Sequence, residues 1–107
     1  MFNIAVIGFG YWGPNIVRNF SNHPKCEVKY ICDLDKNSRI RAKHQYPNIT
    51  TIDDAEIVFN DAEIDIVAIV VPVSKHYVLA KKALKAGKHI FLEKPMVETT
   101  EQAKDLI

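Results

Sequence analysis

Three glycines, Gly8, Gly10 and Gly13, punctuate the opening stretch "NIAVIGFGYWGPN" with the spacing G-x-G-x-x-G, directly behind an apolar run. A glycine turn between a strand and a helix suits one kind of chemistry, holding an anionic diphosphate against bare main chain. Each glycine has its own task there. Gly8 permits the tight turn, Gly10 lets the diphosphate approach the backbone, and Gly13 lets the helix lie close to the sheet. The free N–H groups and the positive end of the helix dipole attract the anion, a dipole contribution of about 0.3–1 kcal/mol at an exposed helix end. Tyr11 and Trp12 lie inside the same turn and are counted with the ligand contacts. The plainer alternative is a glycine turn that serves packing alone.

A second chemical element stands where such a turn requires it. Asp33 ends the apolar run "VKYIC" and lies somewhat beyond the roughly 20-residue interval at which an acid contacts the ribose of a bound dinucleotide, a difference that a longer helix or loop absorbs. A carboxylate at that point accepts hydrogen bonds from ribose hydroxyls and repels a 2′-phosphate. Two unit charges about 4 Å apart cost about 4 kcal/mol at an effective dielectric near 20, so NAD is expected to bind ahead of NADP unless Lys36 or Arg39 swings in. Asp33 also reads as a turn residue or helix cap, and Asp35 competes for that role.

Further along, "VVPVSKHYVLAKKALKAGKHIFLEKPM" carries polar groups in the loops that follow two apolar runs. In an open parallel sheet these loops share the carboxyl edge with the glycine turn. Pro72, Val73 and Ser74 are expected beside the ligand's path, and Ser74 or His76 as hydrogen-bonding partners. His76 equally fits a first-turn residue packed on its neighbours. Glu93, Lys94 and Pro95 follow the last run. Lys94 can donate to a substrate hydroxyl or carbonyl oxygen and relay a proton, or it can be a surface lysine before a proline. His23, His44 and His89 show no metal-ligand spacing with one another or with the cysteines, and no metal is expected.

The elements that position these groups alternate. The β-branched runs "NIAVIG", "VKYIC", "IDIVAIVV" and "HIFLE" are nearly continuous, as in parallel strands covered on both faces, and stretches with helical spacing separate them. The first helix is expected over about 11–22, where Trp12, Ile16 and Phe20 recur and Pro14 falls harmlessly in the first turn. A second is expected over 36–45, with Asp35 as N-cap and Pro47 beyond its end. A short strand near 49–51 precedes a third helix from about Asp54, with Asp53 and Glu56 in capping-box spacing. In the fourth, Ala80, Ala83 and Leu84 mark the buried face, Lys81, Lys82 and Lys85 the wet face, and Gly87 the stop. The last stretch sets Thr99 and Gln102 in capping-box spacing before a stripe of Ala103, Leu106 and Ile107 that ends with the chain. It reads as a helix cut in mid-pattern, and residues 1–107 as the dinucleotide-binding domain of a larger protein.

Composition is consistent with this. A chain of 107 residues, 48% hydrophobic with a formal charge of +1, supports one core and shows no basic excess for nucleic acid. Two cysteines without a CxxC pattern fit reduced thiols in the cytoplasm, and the first apolar run is too short for a signal peptide or membrane span.

Taken together, "GFGYWGPN", "ICDLD" and "VVPVSKHYVLAKKALKAGKHIFLEKPM" resemble the N-terminal domain of the Gfo/Idh/MocA oxidoreductases across the whole chain, most specifically in "AGKHIFLEKP". The resemblance implies an open, doubly wound α/β Rossmann domain of strand order 3-2-1-4-5, ending before a sixth strand. It also implies a nicotinamide cofactor on Gly8, Gly10, Gly13 and Asp33, and Lys94 at the catalytic position. It further implies a separate substrate domain, assembly into homo-oligomers, and a sugar, nucleotide-linked sugar or polyol as substrate. "GYWGPNIVRNF" is similar to members acting on nucleotide-linked sugars, and Trp12 belongs either to that subgroup or to the core. Two rivals remain: a non-catalytic nucleotide-binding redox sensor, and a methyltransferase, whose usual Asn/Asp-Pro-Pro-aromatic segment is not seen in "VVPVSKHY".

Overall fold

The computed structural model describes residues 1–10 and 13–92. Its centre is a five-stranded parallel sheet formed by β1 (Phe2–Ile7), β2 (Cys26–Cys32), β3 (Thr50–Ile52), β4 (Ile66–Ile69) and β5 (His89–Leu92), ordered β3-β2-β1-β4-β5. The helices are α1 (Gly13–Ser21), α2 (Lys36–Gln45), α3 (Ala55–Asn60) and α4 (His76–Lys85), the last entered through a short 3-10 turn at Val73–Lys75. This is the expected doubly wound α/β architecture.

The continuous apolar runs are explained by the layers. Along β1, Ile4 and Val6 pack into one cluster with Ile16, Val17 and Ala42 of α1 and α2. Ala5 and Ile7 point the other way, into a cluster with Val58, Ala80 and Ala83 of α3 and α4. Alternate residues of a strand face opposite sides, so a strand covered on both faces has no position left for a polar side chain. Burying each such Ile or Val stabilises the fold by about 1.5–3 kcal/mol. Among the described residues no helix is long and apolar enough to cross a membrane.

Local signals agree with the chain in several places. Asp35 caps α2, its carboxylate accepting from the Ser38 amide at 2.9 Å. Gly87 ends α4 with φ +81°, a left-handed conformation that spares glycine the usual steric cost. Other expectations are corrected. Asp54, not Asp53, caps α3, accepting from the Glu56 amide at 3.0 Å, because Asp54 immediately precedes the first helical residue. The third strand runs one residue later than expected, and α1 ends at Ser21 instead of Asn22. Leu84 is 39% exposed, since α4 rests on the sheet through Ala80 and Ala83 and Leu84 sits at the margin of that contact. Lys82 and Lys85 are solvated, and Lys82 pairs with Glu56 at 3.0 Å on the surface. The expected helix through Thr99 and Ile107 lies outside the described residues.

Candidate functional site: a cleft at the carboxyl edge of the sheet

The three glycines meet three different surroundings. Gly8 adopts φ +106°, and a Cβ built on it would stand 2.2 Å from the Val70 carbonyl oxygen. The conflict is with the protein's own backbone, where β1 and β4 leave the sheet side by side. Gly13 is likewise pressed, with a Cβ reaching 2.7 Å from the Gly8 carbonyl oxygen. Its close approach is therefore to the turn, not chiefly to the sheet as the spacing argument had it. Gly10 differs from both: among the described residues, its chain neighbours aside, nothing lies within 4 Å of a Cβ placed there. Among the described residues no atom beyond its chain neighbours accounts for glycine at this position, and Gly10 lines a cleft.

That cleft has a volume of about 470 Å³, within the range of about 300–1,000 Å³ usual for small-molecule sites. Gly8, Gly10, Asp33, Leu34, Pro72 and Ser74 all line it, so loops following β1, β2 and β4 converge on one opening. The strand order reverses between β1 and β4, and ligands of open α/β sheets settle at such a reversal. His76 stands apart from this lining. It is 3% exposed, and its Nε2 donates to the Val71 carbonyl at 2.7 Å, so the ring matches the packing alternative and braces the wall that carries Pro72 and Ser74. Tyr11, Trp12, Glu93 and Lys94 lie outside the described residues.

Between the turn and the second strand, Phe9 and Asp33 form a clamp. Phe9 is fully buried, its ring edge-on to Tyr46 with centroids 6.4 Å apart. Its amide donates to Asp33 Oδ2 at 2.8 Å, while Asp33 Oδ1 accepts from the Asp35 amide at 2.9 Å. Each carboxylate oxygen has two lone pairs, so both retain capacity for a ligand hydroxyl. Asp35 is occupied as the cap of α2, which leaves Asp33 as the acid of this pair that lines the cleft. The field here is acidic. Burial first, then the charges of Asp33, Asp54 and Asp53, push the Cys32 thiol up to about 11, and Arg39 opposes them.

Several lining residues were not singled out from the sequence. Cys32 and Val78 carried no signal beyond being apolar members of a strand and a helix. Leu34 did carry one, as an apolar residue between two aspartates, and it is 76% exposed at the cleft.

The residues present suit a dinucleotide: an unhindered main chain at Gly10, a helix start at Gly13, and an acid with spare acceptors across the opening. The comparisons agree. The family model described as "Oxidoreductase family, NAD-binding Rossmann fold" (GFO_IDH_MocA) matches residues 2–107. The uncharacterized oxidoreductase YdgJ of Escherichia coli K12 is 33% identical over 104 residues, covering 96% of this chain and 29% of its own. A glycosyl hydrolase family 109 protein of Shewanella sp. (strain ANA-3) is 31% identical over 122 residues, covering 97% of this chain and 25% of its own. The solved structure of an NAD-binding protein from Listeria innocua superposes with a TM-score of 0.92 at 30% identity, covering 98% of this chain and 31% of that one. The chain thus spans under a third of the length of these relatives. With the family model matching almost every residue, and with fold and cleft in agreement, the chain belongs to the Gfo/Idh/MocA oxidoreductases as their NAD-binding Rossmann domain.

Proposed function

We propose that this chain is the cofactor-holding part of an NAD-dependent oxidoreductase acting on a hydroxyl-bearing carbon of a sugar, nucleotide-linked sugar or polyol. The single observation that carries the reading is Gly10, which lines a cleft and whose Cβ would meet no atom of the described residues beyond its chain neighbours. When bound, the nicotinamide supplies a hydride-accepting carbon. The chain's own residues do the rest. Gly8 and Gly13 hold the turn in shape, the main chain at Gly10 takes the diphosphate, Asp33 takes the ribose hydroxyls, and Pro72 and Ser74 wall the path toward the sheet edge. Lys94, which follows β5 in sequence, is the catalytic residue of this reading. It donates a hydrogen bond to the substrate oxygen and holds or relays that oxygen's proton. Glu93, Tyr11 and Trp12 are assigned to the same site on sequence alone.

The acidic surroundings favour NAD over NADP, because a 2′-phosphate beside Asp33 and Asp53 meets like charge. The carbohydrate class is supported by the Shewanella relative, which is named a glycosyl hydrolase family protein. Substrate binding by a further domain, assembly of several copies and a cytoplasmic setting belong to the same proposal. Calorimetric titration of the chain with NAD, NADP and S-adenosylmethionine tests it. NAD is expected to bind most tightly, and a preference for S-adenosylmethionine overturns the assignment. In the longer enzyme, Lys94→Ala is expected to abolish turnover and spare NAD binding, whereas a non-catalytic sensor has no turnover to lose.

A further inference from the structure

The first two N–H groups of the glycine turn are already committed within the protein. The Gly8 N–H donates to the Cys32 carbonyl at 2.7 Å and the Phe9 N–H to Asp33 Oδ2 at 2.8 Å. The next one, on Gly10, donates to no acceptor among the described residues. Its direction is set by the peptide that carries it. In a planar trans peptide the carbonyl and the N–H point to opposite sides, so the direction of the Phe9 carbonyl fixes that of the Gly10 N–H. That carbonyl accepts from Arg41 Nη2 at 3.4 Å, a long bond strengthened by the donor's charge.

The donor is itself held in place. Asp35, Ser38 and Arg41 follow one another at helical spacing from the cap of α2. Ser38 Oγ donates to Asp35 Oδ2 at 3.0 Å and accepts from the same Arg41 Nη2 at 3.1 Å, so the two hydrogens of that nitrogen serve Ser38 and Phe9. Gly10 lines the cleft, and no residue of α2 does. A carbonyl drawn toward α2 thus leaves the N–H turned toward the cleft. Such a brace matters at this peptide, because glycine accepts φ of either sign and the peptide before Gly10 can turn over at little steric cost.

We propose that Arg41 is a positioning residue for the dinucleotide site, one that holds the Phe9 carbonyl so that the Gly10 N–H stands ready for the diphosphate. The inference rests on the reading of the cleft as a dinucleotide site and adds to it a group from outside the lining. Arg41 acts through one peptide plane, without touching the ligand. Its side chain is exposed on α2, so replacing it removes the brace without opening the core.

Nuclear magnetic resonance on the isotope-labelled chain and its Arg41→Met variant decides the matter. Without ligand, the residual dipolar coupling of the Gly10 N–H reports its direction in the molecular frame. In the variant that coupling is expected to change or to average toward zero, while those of the sheet amides stay as they are. With ligand, the dissociation constant of NAD is expected to rise about three- to ten-fold, the scale of one hydrogen bond, and that of adenosine, which has no diphosphate, to stay the same. If the Gly10 coupling is unaltered, Arg41 does not orient the peptide and the inference fails, whatever happens to affinity. If NAD and adenosine weaken equally and the thermal midpoint falls, Arg41 merely supports the fold and the inference fails as well. If the folded wild-type chain does not bind NAD, it is the reading of the cleft that fails, and the dipolar coupling still decides whether Arg41 orients the peptide.

Discussion

The carboxylate of Asp33 accepts the backbone N–H of Phe9 at 2.8 Å across 24 residues of sequence, tying the end of β2 to the glycine turn after β1. The same side chain that faces the cleft thus holds the turn in place. Asp33→Ala is expected to cost about 1–3 kcal/mol of stability, because the amide of the buried Phe9 loses a charged acceptor. In urea unfolding the midpoint should fall with the slope unchanged. An unchanged midpoint would show the turn to be self-supporting.

The glycines separate by what their Cβ atoms would meet. Gly10→Ala is expected to leave the thermal midpoint nearly unaltered and to weaken NAD binding by about ten-fold or more, since the methyl projects into empty cleft. Gly8→Ala should instead destabilise the fold by more than about 2 kcal/mol, combining left-handed backbone strain with a clash against the Val70 carbonyl. Equal stability losses in the two variants would remove Gly10 from the ligand's path.

Acid stability should show the mark of Asp61. Hydrogen bonds from Tyr30 first, then from the Glu63 amide and Lys29, hold its carboxyl down from 3.8 to about 2. A carboxyl lowered by folding contributes stability that is fully present above its unfolded value and is lost as the pH falls through the folded one. The difference in thermal midpoint between wild type and Asp61→Asn should accordingly be steady above about pH 5 and shrink between pH 4 and 2. A constant difference across that window would contradict the account.

Cysteine reactivity offers an independent check on the cleft. Cys32 is 3% exposed with its thiol pushed up to about 11, whereas Cys26 is only partly buried. A thiolate-seeking reagent at pH 8 is expected to label Cys26 first and Cys32 slowly, because a thiol reacts through its ionised form. Faster labelling of Cys32 would mean that the acidic, desolvated environment at the end of β2 is not present in solution.

Much of this was legible along the chain. The unbroken apolar character of "NIAVI" and "IVAIV" reports strands covered on both sides, and the spacing of Gly8, Gly10 and Gly13 behind the first of them reports the turn. Asp35 and Gly87 mark the ends of their helices through local backbone chemistry that needs no partner far away. Where two aspartates stood side by side, Asp53 and Asp54, spacing could not say which one precedes the first helical residue, and it pointed to the wrong one. Leu84 was placed on the buried face by periodicity, which gives the direction of a side chain but not the reach of the surface opposite.

What the sequence determined by itself is therefore the kind and order of the elements, because strand, helix and turn preferences act between residues a few positions apart. The tertiary structure decided the assignments within the cleft: that Gly8 answers to the Val70 backbone, that Gly10 meets open space among the described residues, and that Asp33 binds the Phe9 amide. Those contacts join residues brought together by the register of the sheet. Their lengths and directions depend on how whole layers settle against one another, which no short-range pattern encodes.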